Sequence, residues 1–482
     1  MIKHSIEGKW YEYADADRSD ANEADKEQLS KVEEKATYLL SRDIDVHNQC
    51  QFSYCLPLEI FLVSKQPLKE GEYFWFRMES KRNASEAGWL NTVIVQGTAG
   101  DRISAMQMFI QRSPVHALSH LNTLVSRVQK KNPREAFSIL SVLKELFINE
   151  ILPPTRKLIP LSKRPVGELE KQLEKGEKAA ERRLIMWKFE SDLKKLYENF
   201  VMALESLSNG MVVNVCAEAC RAALDLLIER PEQEQRLLTL LVNKLGHPNR
   251  KFASRLVGYL MKLTQKQPNM RPIVVKEVER LIYRKNISCR AQLYAVTFLA
   301  QMQLNAGDVE LAASLLTIYI GLFRILIAKQ KIDDKIISAL LTATNRAFPY
   351  AKNEAERLTK EIDTLYKVLH QSNFNTALQT LKLLHQLLVT SEGISDRFYS
   401  AFYRKLLDVE HSAKQQSQLF GLLYKTMKND SETQRVIAFI KRMLQLSVNR
   451  SAAFAAATLV VISKLIEERP SLILVSKSAN VS

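Results

Sequence analysis

The sequence predicts an all-α fold, a HEAT/armadillo-like α-solenoid of paired helices. Three observations carry this. Apolar residues recur at helical spacing over most of the 482 residues. Only 14 Gly and 14 Pro are present, which leaves few turns of the hairpin kind. Helical pairs begin near 232, 272, 308, 354, 395 and 431, a spacing close to the roughly 40–47 residues of HEAT and armadillo repeats. A helical hairpin cannot bury its apolar face alone, so stacked neighbours share one continuous core. Residues 232–470 are therefore expected to form one right-handed superhelix, the core domain of the chain.

The N-terminal region reads differently. Residues 1–45 hold 7 Lys/Arg against 12 Asp/Glu and are expected to be an acidic, flexible arm. Residues 46–100 are the least helical stretch, with Tyr73-Phe74-Trp75-Phe76 expected to pack as an extended segment. Residues 101–231 read as an N-terminal helical region. Ala136–Leu152 carries Phe137, Leu140, Leu143 and Phe147 and stops at Pro153-Pro154. A charged linker helix is expected near 165–185, and Met186–Leu207 resumes the apolar stripe.

Punctuation then sets the repeats. Glu232–Leu245 ends at Gly246 and Pro248, and Arg250–Lys266 ends before Pro268. Pro272 sits in a first turn, where its missing N–H costs nothing. Ser288 caps Cys289–Asn305, and Gly307-Asp308 opens Val309–Ala328. Six further helices are read between 334 and 446, and a last one near Ala452–Glu468, before a short tail over 471–482. No apolar run is read as reaching the ~18–20 residues of a membrane span, and no membrane partner is expected.

Catalytic and metal motifs are weak. His116 and His120 form an i,i+4 pair, but Ala117 stands where a zinc protease needs its Glu base. Cys216 and Cys220 share a helix face with Ala223 and Leu227 and read as small core residues. Cys50 and Cys55 lack a second pair. No phosphate-loop, dinucleotide-binding or nucleophile-elbow motif is present. The expectation is a chain that is not an enzyme and holds neither cofactor nor metal.

Charge points to a polyanion. The net charge is +16, and residues 244–290 hold 12 Lys/Arg against only Glu277 and Glu279. On the helix from Arg250, Lys251, Arg255, Lys262 and Lys266 fall within an arc of about 60°. Lys276, Arg280 and Arg284 line one side of the next helix, and Arg271, Lys285 and Arg290 extend the charge across the turns. Stacked helices would merge these into one ridge. Aromatic residues are sparse there, so the expected contact is with the phosphate backbone of structured RNA, not with stacked bases. Beyond Ala351, charge is more balanced and the stripe Leu378, Leu381, Leu384, Leu388 suggests a protein partner.

Several ordered segments resemble the CCAAT-binding factor family. They include Pro248-Asn249-Arg250-Lys251-Phe252-Ala253-Ser254, Arg290-Ala291-Gln292-Leu293-Tyr294-Ala295 and Leu340-Leu341-Thr342-Ala343-Thr344-Asn345-Arg346-Ala347-Phe348-Pro349-Tyr350-Ala351. Phe374-Asn375-Thr376-Ala377, Ser395-Asp396-Arg397-Phe398-Tyr399 and Gly100-Asp101-Arg102-Ile103 fit as well. The resemblance covers most of residues 90–470. It implies a nuclear and nucleolar scaffold in early large-subunit ribosome assembly. The implied partners are a nucleolar complex protein two-like assembly factor, pre-ribosomal RNA and large-subunit precursor particles. The family name also implies a transcription regulator at CCAAT-box promoters, with DNA as partner. No helix-turn-helix, zinc-finger or basic-zipper signature supports that alternative. A protein-binding transport-type solenoid is a third reading. Family members continue past the position of Ser482, so the chain is expected to be C-terminally short, and it contains no run of five or more basic residues for nuclear targeting.

Overall fold

The computed structural model describes residues 9–12, 26–52, 85–129, 133–167, 172–173, 178–305, 307–328, 334–351, 360–390, 393–408, 415–470 and 472. The aromatic run at 73–76, Cys55 and the tail beyond 472 lie outside these. Among the described residues no strand occurs, and the chain is an all-α, HEAT-like array of helical pairs. It divides into two compact units, residues 1–268 and 269–482.

The first unit holds α1 (Lys26–Phe52), α2 (85–96), α3 (Ala99–Arg112), α4 (Leu118–Gln129) and α5 (Pro133–Leu146). It continues with α6 (Lys178–Ser208), α7 (Val213–Glu229), α8 (Glu234–Asn243) and α9 (Arg250–Lys266). Helices α5, α7 and α9 stack in sequence, with α6 and α8 against α7. The reading of 1–45 as a flexible arm is corrected from Lys26 onward. Val32, Ala36, Leu39 and Leu40 form a buried stripe that packs on α6. The acidic character of this segment is part of the docking. Glu33 Oε1 pairs with Lys188 at 3.0 Å and Lys195 at 3.5 Å, which holds its carboxyl below the ordinary range. Trp10, also within the expected arm, is buried edge-on to Phe189, and its Nε1–H donates to Ile151 O at 2.8 Å. The irregular reading of 46–100 is corrected at α2, whose Ala87 and Leu90 are buried.

Helix α5 ends as read, through a π-turn at Phe147–Ile151 ahead of Pro153. The extended segment that follows is pinned by two buried carboxylates. Glu190 on α6 accepts from Ile159 N (2.9 Å) and Arg164 Nη2 (2.8 Å) and pairs with Arg156. Arg164 and Glu190 are both wholly buried, and the guanidinium lies 5.2 Å from the Trp187 ring centre. Glu232 accepts from Leu158 N at 2.7 Å. Backbone groups of a part-buried segment without regular structure need partners, and these carboxylates provide them.

The second unit holds α10 (Arg271–Ile282), α11 (Cys289–Gln301), α12 (Val309–Ala328), α13 (Asp334–Ala347), α14 (Ile362–Gln371) and α15 (Phe374–Thr390). Then come α16 (Asp396–Lys405), α17 (Gln416–Lys428), α18 (Thr433–Val448) and α19 (Ala452–Glu468). The odd-numbered helices α11, α13, α15, α17 and α19 stack on one another, and α10, α12, α14 and α18 each pack on the odd-numbered helix that follows. Pro272 lies in the first turn of α10 and Ser288 caps α11, accepting from Ala291 N, as read. The expected single array over 232–470 is divided after its first pair. Helix α9 packs on α7, and the Gln267 side chain donates to Ile228 O at 2.9 Å, which keeps that pair with the first unit.

Bonds between successive repeats measure the period directly. Arg271–Asp308 spans 37 residues, Arg324–Glu361 37, Asn373–Asp334 39, Asn345–Gln379 34, Gln379–Gln418 39 and Lys428–Glu468 40. One device occurs twice. Asp363 and Tyr366 on α14 hold Arg397 of α16, and Asp396 and Tyr399 on α16 hold Arg435 of α18, each guanidinium 4.0 Å from the ring centre. Each gives an arginine a carboxylate and an aromatic face, favourable for a planar cation.

Helix α12 corrects one reading. Its window Val309–Leu326 is long and apolar enough to cross a membrane by length and composition, with mean hydropathy 1.8. Glu310 and Arg324 fall inside this window, so its uninterrupted run of uncharged residues is shorter than a span. Here Ala312, Leu316, Tyr319 and Leu322 are buried against neighbouring helices. Close packing also explains Gly321, where a Cβ would collide with the Tyr283 hydroxyl that donates to Ile318 O at 3.1 Å.

Candidate nucleic-acid interface

Helix α9 starts at Asn249, whose side chain accepts from Lys251 N (3.0 Å) and Phe252 N (3.3 Å). Its apolar face, Phe252, Leu256, Leu260 and Leu263, is buried, so register puts Lys251, Arg255, Lys262 and Lys266 outside, and all four are exposed. The neighbouring helices add what local sequence did not show. Exposed Arg221 of α7 and Arg255 both act on the Tyr259 hydroxyl, as does Glu218 of α7. Asp225 of α7 sits between Lys144 of α5 (3.4 Å) and Lys262 (3.8 Å). Two carboxylates of α7, Glu218 and Asp225, therefore partly offset the patch. The separations of 81 and 37 residues put these partners outside any local sequence window.

In the second unit Lys276, Arg280, Arg284, Lys285 and Arg290 are exposed. Arg280 is paired with the buried Glu277 at 3.1 Å across one helical turn. Arg271 is a correction. Its side chain is 14% exposed and bonded to Asp308 at 3.0 Å, so it ties α10 to the start of α12 instead of facing solvent. The ten cations thus fall in two groups on separate units, four on α9 and the rest from Arg271 onward.

The histidine and cysteine pairs are occupied differently. His116 Nδ1 shares a hydrogen with Ser113 Oγ (2.6 Å), its Nε2 meets Asp43 at 3.1 Å, and its ring stacks on His47. His120 stacks instead on Phe109, and burial lowers its pKa. Cys216 and Cys220 are buried core thiols, and burial pushes Cys220 up to about 12. Among the described residues no three His, Cys, Asp or Glu side chains gather to hold a metal.

Fold and surface together define a class, a HEAT-like helical-repeat protein with exposed cationic faces. The chain carries a CBF/Mak21 family domain over residues 377–481, and similarity to CCAAT/enhancer-binding protein zeta and nucleolar complex protein 1 runs across most of its length. Human CCAAT/enhancer-binding protein zeta is 39% identical over 463 residues, covering 93% of this chain and 44% of that protein. Nucleolar complex protein 1 of Drosophila melanogaster is 37% identical, covering 86% and 36%. Ribosome biogenesis protein NOC1 of Chaetomium thermophilum is 32% identical, covering 82% and 42%. The chain thus spans less than half the length of these relatives. Among solved structures, Kap121p covers 94% of this chain at 12% identity and a TM-score of 0.37.

Proposed function

We propose that the chain is a scaffold in early assembly of the large ribosomal subunit, in the nucleolus, and not an enzyme. The relatives named for ribosome biogenesis and for a nucleolar complex support this reading. Its cationic faces bind the phosphate backbone of pre-ribosomal RNA, and its C-terminal repeats hold a nucleolar complex protein two-like assembly factor. The observation that carries RNA binding is α9, where four exposed cations share one arc beside Arg221. A solvated helix face usually mixes signs, whereas Arg250–Lys266 contains no Asp or Glu, and Asp225 of α7 opposes the stripe at Lys262. Phosphate contacts release condensed counterions, so affinity falls steeply with salt.

The test is the Lys251→Glu/Arg255→Glu/Lys262→Glu variant, with helicity and melting compared first with the wild type. The expected result is weaker binding to all pre-ribosomal RNA segments and a salt slope flattened by roughly one unit per lost contact. Unchanged affinity and slope would refute the interface. The partner assignment is tested by ending the chain at Ala351, which should abolish capture of the assembly factor while some RNA binding remains.

A further inference from the structure

The second unit carries a groove that the RNA reading does not use. It has a volume of about 540 Å³ and runs along the open face of α13, between the end of α11 and the start of α15. Six groove residues belong to α13, namely Asp334, Lys335, Ser338, Ala339, Thr342 and Arg346. At ~100° per residue the five from Lys335 to Arg346 fall within one arc of about 100°, with the two cations at opposite ends along the helix axis. Small side chains between them leave a low floor. Thr297 and Gln301 form one wall, and Asn373 and Asn375 the other. Asp334, the one carboxylate lining the groove, accepts from Asn373 at 2.7 Å, and with Lys335 and Arg346 it leaves the lining net positive. Arg346 donates to Ala300 O, so its guanidinium is steered to the groove's end.

We infer that this groove binds an extended acidic polypeptide segment of a partner protein. Hydroxyls and carboxamides each donate and accept, which matches a peptide backbone carrying alternate N–H and C=O groups. No aromatic side chain lines the groove, so it offers nothing for bases to stack on. Two cations with one carboxylate are too few to track a phosphate backbone. Spacing sets the segment. Lys335 and Arg346 are eleven residues apart on one helix face, about 16 Å at 1.5 Å per residue. An extended chain covers that in about five residues at ~3.3 Å each. Acidic side chains roughly four to six positions apart would then reach both cations.

The probe is a set of fluorescein-labelled Gly/Ser peptides carrying two Asp residues at varied separation, titrated into the full chain. Binding should be tightest when the two Asp residues stand about five positions apart. It should be absent for the Arg-containing counterparts. Thr342→Trp, an exposed position on the floor, should weaken binding at least about tenfold, an effect of ~1.4 kcal/mol. The double change Lys335→Glu/Arg346→Glu should reverse the preference toward the Arg peptides. Thermal melting checks both variants, and if one does not fold the other still reads the groove. No binding by the wild type overturns the inference. So does binding that ignores separation and both substitutions, or a groove whose substitutions weaken RNA binding instead. The α9 triple variant should bind these peptides normally, so failure of the RNA interface and failure of the groove are separately visible.

Discussion

Single residues carry more of the first unit than their polarity suggests. Glu190 meets two arginines and a backbone N–H with no exposure of its own. Glu190→Ala removes the buried carboxylate that faces Arg164 and should lower unfolding free energy by about 3–5 kcal/mol in chemical denaturation. Asp43 gives a pH signature. The hydrogen bond to His116 holds its carboxyl below the usual range. A lowered folded pKa stabilises in full above the unfolded value near ~3.9 and fades as pH falls through the depressed one. The stability difference between wild type and Asp43→Asn should therefore shrink as pH drops below about 4. Gly321 and Tyr283 form a steric pair. Gly321→Ala should cost about 1–3 kcal/mol in the wild type and clearly less in Tyr283→Phe, where no hydroxyl meets the new methyl.

At the scale of elements, the α16–α18 clasp separates exposed from buried charge. Arg435 bonds Asp430 at 2.7 Å through two nitrogens, and Asp430 is 2% exposed. Asp396, the other partner, is 91% exposed. Asp396→Ala should change stability by under about 1 kcal/mol. Arg435→Ala strands a buried carboxylate and should cost about 2–3 kcal/mol. Equal effects would mean the buried pair does not govern this junction. Helices of this kind were legible in the sequence because their buried stripes follow the 3.6-residue period, and because Pro272, Ser288 and Pro153 punctuate them as short-range chemistry requires. Helix α1 was not. Its stripe of Val32, Ala36, Leu39 and Leu40 is thin and set among carboxylates, and its meaning rests on Lys188 and Lys195, over 150 residues away.

For the whole molecule, the repeat spacing read from sequence agrees with the 33–46-residue reach of the bonds between neighbouring repeats, since both report one helical pair. The candidate interface was legible in part. Exposure of Lys251, Arg255, Lys262 and Lys266 followed from helix register alone. The engagement of Arg271 with Asp308 and the intrusion of Asp225 depend on which helices meet, and no local pattern encodes that.

The reach of those bonds also sets an order in time. In the second unit the bonds that tie repeats together span 33 to 46 residues. The first unit is closed by bonds spanning 141 residues at Trp10 and 155 at Glu33. A chain made at roughly 5–20 residues per second delivers each later repeat its partner within several seconds. The N-terminal helix must wait several times longer for α6 to be synthesised, with its apolar stripe uncovered. Helix α1 is therefore exposed to chaperones and proteases for longer during synthesis than the repeats of the second unit.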